Sequence, residues 1–124
     1  PGVLESLQSA LRKDDRQVTV AVRDASQIVA VWPGLLDQAY GAAIDVGSTT
    51  IAVQLCDLSS GETLANTGAM NPQIRFGEDL MSRVSYAMQN PAGAGQMTRL
   101  VRAAINELLE KAIRQAGIDA GLAK

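Results

Sequence analysis

The order of apolar and polar residues predicts two short α/β segments. In the first segment, residues 1–38, apolar residues at positions 3, 4, 7, 10 and 11 repeat with the period of a helix, which predicts a helix over 3–12. The runs QVTVAVR and IVAVW, on either side of the turn sequence DASQ, are typical of two strands. Pro33 and Gly34 end the second strand.

The second segment, residues 39–124, is predicted to begin with a strand that ends near Asp45. The following run, TTIAVQLCDL, alternates: residues 51, 53 and 55 fall on one face of a strand, and residues 52, 54 and 56 fall on the other. A glycine-containing turn, SSGE, and the run TLANTGAMN then complete a hairpin.

Two helices are predicted after the hairpin. Residues 71–76, NPQIRF, are expected to be a loop, followed by a helix over 78–88 on which Leu80, Val84 and Met88 are spaced four apart. Acidic residues stand at the start of this helix, where the helix dipole favours negative charge. After the break NPAGAG, apolar residues every three or four positions predict a long helix over 96–116 that ends at Gly117.

Composition excludes several classes of function. The net charge is −2 and there is no sustained basic stripe, so nucleic acid is not expected as a partner. No apolar run approaches the roughly 20 residues of a membrane span. There is no histidine, and the single cysteine, Cys56, can form neither an internal disulfide nor a cysteine-ligated cluster. A cytoplasmic location is expected, and the chain has the character of a piece cut from a longer protein.

The stretch GAAIDVGSTT, residues 41–50, is the candidate functional motif. A glycine turn between two strands can direct backbone N–H groups into a cleft, where they and the hydroxyls of Ser48, Thr49 and Thr50 could hold phosphate oxygens. Gly47 lets the backbone approach a bulky anion closely, because it has no Cβ. Asp45, at the strand end, is a candidate carboxylate for Mg²⁺. No catalytic residue is assigned.

The same pattern also fits an ordinary hairpin turn, in which Asp and Ser cap, Gly turns and Thr pairs across strands. It is neither a Walker loop nor a dinucleotide fingerprint, since it contains no Gly-Lys-Ser/Thr and no G-x-G-x-x-G that opens a helix.

In its wider context the motif resembles a known family. Two stretches, residues 45–50 and the sequence NPQIRFGEDLMSR at 71–83, look like the start of the ATPase domain of the reductive activators of corrinoid-dependent methyltransferases. The resemblance implies a partial ribonuclease-H-like domain, of the actin, sugar kinase and heat-shock chaperone (ASKHA) type, over 39–124. Residues 1–38 would then be the end of a small α/β middle domain.

The resemblance also implies a function for the whole protein, which would use ATP and Mg²⁺ to return Co(II) corrinoid proteins to the active Co(I) state. A ferredoxin-like 2Fe–2S domain, absent from this chain, would supply the electron, and a corrinoid protein or methyltransferase would be the partner. Asp45 would be the metal-associated carboxylate, and residues 47–50 the first phosphate loop. The role of the 71–83 stretch is open: it could shape the interface with the corrinoid protein or the interior of the cleft. In the structural alternative, Phe76 is expected to be a core anchor, and Asp79 with Arg83, four apart, a helix-surface pair.

A second phosphate loop and an adenosine-binding segment, which the superfamily uses to close its site, are missing. We therefore expect this chain alone to be inactive and to bind nucleotide at most weakly. Two alternatives stay open: the start of a sugar- or acetate-kinase-like phosphotransferase, and a non-enzymatic docking module. Apolar surface left exposed on such a piece predicts self-association, with a homodimer as the simplest form.

Overall fold

The computed structural model of the chain describes residues 2–118, and for residues 2–4 it describes the backbone alone. The end of the second predicted segment, residues 119–124, lies outside the described residues. The chain divides into two compact units between Ala39 and Tyr40.

The first unit consists of one α-helix, a short 3₁₀ helix (Asp14–Arg16) and one hairpin. Helix α1 (Gly2–Leu11) precedes the antiparallel strands β1 (Val18–Arg23) and β2 (Gln27–Pro33), as the hydrophobic pattern predicts. Three residues connect the strands; Asp24 and Ala25 both have φ of 51° and lie at the centre of a turn that the Ser26 N–H closes on the Arg23 carbonyl. The hydroxyl of Thr19 donates to the Gly34 carbonyl and accepts the Leu36 N–H, and so fixes the chain that leaves β2.

The second unit is built on a three-stranded antiparallel sheet. Strands β3 (Tyr40–Val46), β4 (Thr50–Asp57) and β5 (Thr63–Met70) lie in chain order, with β4 in the centre. Side chains alternate along β4: Ile51, Val53 and Leu55 are buried, whereas the residues between them face the other side of the sheet. The predicted hairpin and its alternation are therefore confirmed.

Helix α3 (Gly93–Ala116) covers the buried face of the sheet. Leu108 packs with Ile51 and Val53, and Ala112 packs with Leu55 and Ala65. The hydroxyl of Thr67 donates a hydrogen bond to the Leu108 carbonyl, at 3.0 Å. The helix begins at Gly93, three residues before its predicted start, and a Cβ on Gly93 would lie only 3.0 Å from the ring of Tyr86. It ends as predicted at Gly117, whose φ is +67°.

The region between β5 and α3 differs most from prediction. Residues Pro72–Phe76 form a 3₁₀ helix rather than a loop, and α2 (Leu80–Gln89) starts two residues later than expected, since Asp79 is its N-cap. The apolar stripe of α2 is on the surface: Leu80 is 65% exposed and Met88 82%. No helix within residues 2–118 is both long enough and apolar enough to cross a bilayer.

Candidate functional site

Asp45 lies on the face of the sheet that α3 leaves open. It pairs directly with Ala52, and β4 residues 51, 53 and 55 face α3, so Asp45 and Ala52 face away from that helix. Thr50, two residues before Ala52, lies on the same open face. The Asp45 side chain is exposed and has no hydrogen-bond partner among residues 2–118. The carboxylate is thus available to a ligand.

A depression of about 580 Å³ lies beside Asp45 on this open face. Its lining comes from all three strands and includes Gln54, Asn66 and Gly68. The surface next to the carboxylate is thus concave and open, with small and polar side chains in a lining whose exposed area is mostly apolar.

The loop of residues 47–49, called the β3–β4 loop below, joins the two strands. The N–H of Gly47 donates to the Thr50 carbonyl at 2.9 Å, which closes the turn. A Cβ on Gly47 would lie 2.9 Å from that same oxygen, closer than a real Cβ contact allows. Glycine is therefore required here for the backbone to turn this tightly.

All three carbonyls of the β3–β4 loop are held by residues of the 71–83 stretch. The Asn71 side-chain Nδ2 donates to the Gly47 carbonyl at 2.8 Å, and the Asn71 N–H donates to the Thr49 carbonyl at 2.7 Å. Arg83 Nη2 donates to the Ser48 carbonyl at 2.7 Å. The two stretches singled out in the sequence are thus parts of one hydrogen-bonded site.

Two N–H groups of the same loop, those of Ser48 and Thr49, are left without protein acceptors. Within residues 2–118, the amides of Ser48 and Thr49 donate to no other group, and neither residue belongs to a strand. Their side chains and that of Thr50 are exposed. The loop therefore presents two backbone donors and three hydroxyls to solvent, a set that can bind an anion.

Arg83 is buried, only 4% exposed, although it lies on a surface helix. Besides the Ser48 carbonyl, it donates from Nε to the Gly77 carbonyl at 2.8 Å and from Nη2 to the Glu78 carbonyl at 3.3 Å. The prediction that Asp79 and Arg83 form a helix-surface pair is wrong: Arg83 points inward to these carbonyls, and the two side chains make no ion pair.

Asp79 instead caps helix α2. Its Oδ1 accepts the Ser82 N–H at 2.7 Å, and this hydrogen bond lowers the pKa of the Asp79 carboxyl, with smaller help from the Ser82 side chain. Phe76, expected to be a core anchor, is half-buried and packs against Tyr86, with ring centroids 4.9 Å apart, outside the clusters under α3. The stretch thus combines a helix cap with the support of the β3–β4 loop.

The residues present fit a hydrated magnesium–phosphate group better than a protein-caged metal. No cluster of three His, Cys, Asp or Glu side chains occurs within residues 2–118. Asp45 would therefore be a single protein ligand, with phosphate and water oxygens completing the shell, which is the way Mg²⁺ usually binds. An iron–sulfur cluster does not fit, because four cysteine ligands are needed and the chain has one.

The sequence indicated both the loop and the 71–83 stretch, but not that Asn71 and Arg83 support the loop. Asn71 could have been suspected, because Asn before Pro after a strand is a good helix cap, and its side chain does accept the Gln73 N–H. No signal identified Arg83: its burial depends on carbonyls that lie up to 35 positions earlier in the chain.

Comparison with known proteins gives consistent relatives. A family described as the RACo middle region matches residues 40–122, and one described as the RACo linker region matches residues 1–38. RamQ, a corrinoid activation enzyme of Eubacterium limosum, is 32% identical over 80 residues, which are 64% of this chain and 14% of RamQ. A solved structure of a reductive activator for corrinoid, iron-sulfur protein superposes with a TM-score of 0.77 and 36% identity. The match covers 96% of this chain and 20% of that one, so the chain spans a small part of these relatives.

Proposed function

This chain belongs to the family of reductive activators of corrinoid proteins, of which it matches the linker and middle regions, and we propose that it forms part of an ATP-dependent activator. The whole protein would return a Co(II) corrinoid to Co(I) by transferring one electron from an iron–sulfur cluster held in another domain. The corrinoid, bound to a corrinoid protein or methyltransferase in the cytoplasm, is the substrate. Residues 39–124, which include the match to the middle region, would be the start of an ASKHA-type, ribonuclease-H-like ATPase domain, and residues 1–38, expected from sequence to end a middle domain, match the linker region and would precede it.

The observation that supports this role is the contrast between the carbonyl groups and the N–H groups of the β3–β4 loop. All its carbonyls are held by the protein, whereas the N–H groups of Ser48 and Thr49 have no acceptor within residues 2–118. These amides, with the hydroxyls of Ser48, Thr49 and Thr50, would hold phosphate oxygens. The exposed carboxylate of Asp45 would hold Mg²⁺, which offsets the repulsion between that carboxylate and the phosphates.

The nucleotide supplies, when bound, the free energy that changes which conformation of the complex is populated. A ligand can do so only through different affinities for the two conformations. What this chain contributes is a preformed phosphate-binding turn on one wall of the site. On its own it lacks the contacts of a closed cleft, so we propose that it is inactive alone and binds nucleotide at most weakly. Calorimetric titration of the 124-residue chain with Mg-ATP should show no micromolar binding.

The substitution Asp45→Ala in the whole protein tests this function. The loss of the metal carboxylate is expected to abolish ATP-dependent formation of Co(I), followed by visible absorbance of the corrinoid. The matched control is Glu62→Ala, since Glu62 is an exposed carboxylate in the turn at the far end of β4. Retained ATP-dependent activation in Asp45→Ala would contradict the proposal and favour a docking module.

The surface of α2 favours a role in docking as well. Leu80, Met81, Val84 and Met88 are exposed apolar residues on one short helix. We propose that a partner, either the corrinoid protein or a second copy in a homodimer, covers this surface. Ultracentrifugation of the whole protein, with and without the corrinoid protein, distinguishes the two.

A further inference from the structure

We propose that Arg83 and Asn71 are positioning residues of the phosphate site, which aim the N–H groups of the β3–β4 loop at the anion. This inference rests on the proposed function, because it assigns a role within the same site. It goes beyond that function in naming the groups that determine how the loop is oriented.

The geometry of the peptide group determines which way the N–H groups of the loop point. In a trans peptide, the C=O of one residue and the N–H of the next point in opposite directions. No cis peptide bond occurs among the described residues. When Asn71 holds the Gly47 carbonyl, it therefore directs the Ser48 N–H to the opposite side of the chain. When Arg83 holds the Ser48 carbonyl, it directs the Thr49 N–H in the same manner.

These two N–H groups are the ones that find no acceptor within residues 2–118. The two side chains thus contact the rear of the loop and leave its front to the ligand. Neither side chain has to reach the ligand itself. An amide that is already aimed loses little conformational freedom on binding, so the affinity of the loop for phosphate depends on Asn71 and Arg83.

Arg83 also places a positive charge beside the loop. A guanidinium is always protonated in proteins, and this one is 4% exposed with no carboxylate bound to it among the described side chains. Its Nε and Nη2 donate to three neutral carbonyls, of Ser48, Gly77 and Glu78. The Asp79 carboxylate interacts with this charge but forms no ion pair with it within the described residues, so the guanidinium places positive charge next to the loop, where it favours an anion.

The test uses the whole protein and three variants: Arg83→Met, Arg83→Lys, and the control Arg102→Met, which removes an exposed arginine of α3. The affinities measured are those for Mg-ATP, magnesium tripolyphosphate and adenosine. Arg83→Met is expected to weaken binding of Mg-ATP and tripolyphosphate by about tenfold or more, the typical effect of losing a charged hydrogen bond. Adenosine affinity should not change, since adenosine has no phosphate for the loop to hold.

Arg83→Lys keeps the charge but loses the planar fork, so a smaller loss is expected, again confined to the two phosphate ligands. An equal loss of adenosine affinity would indicate a merely structural role and overturn the inference. Unchanged tripolyphosphate binding in both Arg83 variants would overturn it too, while the proposed function survived. Failure of the unsubstituted protein to bind either phosphate ligand would overturn both.

Hydrogen exchange in the unsubstituted protein supplies a second measurement, which can be made even if the Arg83 variants fail to fold. Saturating tripolyphosphate is expected to slow exchange of the Ser48 and Thr49 amides at least tenfold, because these N–H groups gain acceptors. Unchanged exchange at both amides, with the ligand bound, would contradict the inference.

Discussion

The support of the β3–β4 loop by Asn71 leads to a quantitative prediction for Asn71→Ala. Asn71 is 2% exposed, and its side chain makes two hydrogen bonds: Nδ2 to the Gly47 carbonyl at 2.8 Å, and Oδ1 from the Gln73 N–H at 2.9 Å. The substitution leaves a partly buried carbonyl and a helix-start amide unpaired. Each costs about 1–2 kcal/mol, so a loss of roughly 2–4 kcal/mol is expected in the free energy of unfolding.

Urea unfolding of the chain, followed by circular dichroism, measures this loss. The control is Asn106→Ala, because Asn106 is an exposed residue within α3, where alanine is the better helix former. The control should keep or slightly raise stability. A difference below about 0.5 kcal/mol between the two variants would refute the idea that Asn71 supports the loop.

Asn71→Asp adds a pH signature to the same prediction. The substitution keeps an acceptor for Gln73 but sets a carboxylate oxygen against the Gly47 carbonyl in place of the donor. Ionisation is therefore unfavourable in the folded state, and the pKa of the new carboxyl is raised above its unfolded value. Its stabilising contribution is present below the unfolded pKa and is lost as pH rises through the folded one. The variant should come closest to the original chain below roughly pH 4.

Three further predictions concern the surroundings of the loop and the core. The pKa of the Asp79 carboxyl is lowered in the folded state, so its cap stabilises the fold above the unfolded-state pKa, and this contribution is lost as pH falls through the folded-state pKa. Asp79→Asn should therefore make the free energy of unfolding fall less steeply below roughly pH 4 in acid titration. Gly77→Ala would bring a Cβ within 2.6 Å of the Ser82 Cβ, and should lower the melting temperature by several degrees, about the effect of 1–3 kcal/mol. Gly95→Ala on α3 should not, because its Cβ would make only an ordinary contact with Arg99 at 3.6 Å; equal melting temperatures would contradict this. Leu108→Ala should lower the free energy of unfolding by about 2–5 kcal/mol, measured in urea, because this side chain is buried under the sheet. The exposed Met88 gives the control: Met88→Ala should lower it by less than about 0.5 kcal/mol, and the reverse order would mean that the core is assigned wrongly.

The sheet and the long helix could be predicted because a single periodic pattern determines each of them. Residues 51, 53 and 55 alternate strictly along β4, and α3 repeats apolar residues over some six turns, so local sequence and burial agree. In α2 the same reasoning fails. Its apolar residues spaced four apart are exposed, and its buried side chain is the charged Arg83, because hydrogen bonds to distant carbonyls outweigh the apolar pattern there.

The candidate site could likewise be predicted only in part. Residues 45–50 could be proposed from sequence, since Gly and hydroxyl residues after a strand fit a phosphate turn and the family resemblance favours that turn over an ordinary hairpin. The residues that hold the turn could not, because their role exists only once β5 and α2 bring Asn71 and Arg83 against it. Long-range hydrogen bonds of this kind leave no periodic signal in the chain.

The central claim is that the β3–β4 loop binds a metal-bound polyphosphate, and titration of the isotopically labelled chain with Mn²⁺-ATP tests it most directly. Paramagnetic Mn²⁺ in place of Mg²⁺ broadens the amide resonances near it, and high ligand concentration compensates for weak binding. We predict that the amide resonances of residues 45–50 broaden before any others, and that Asp45→Ala removes this selectivity. Broadening that begins elsewhere in the chain, or that is the same in Asp45→Ala, would contradict the account.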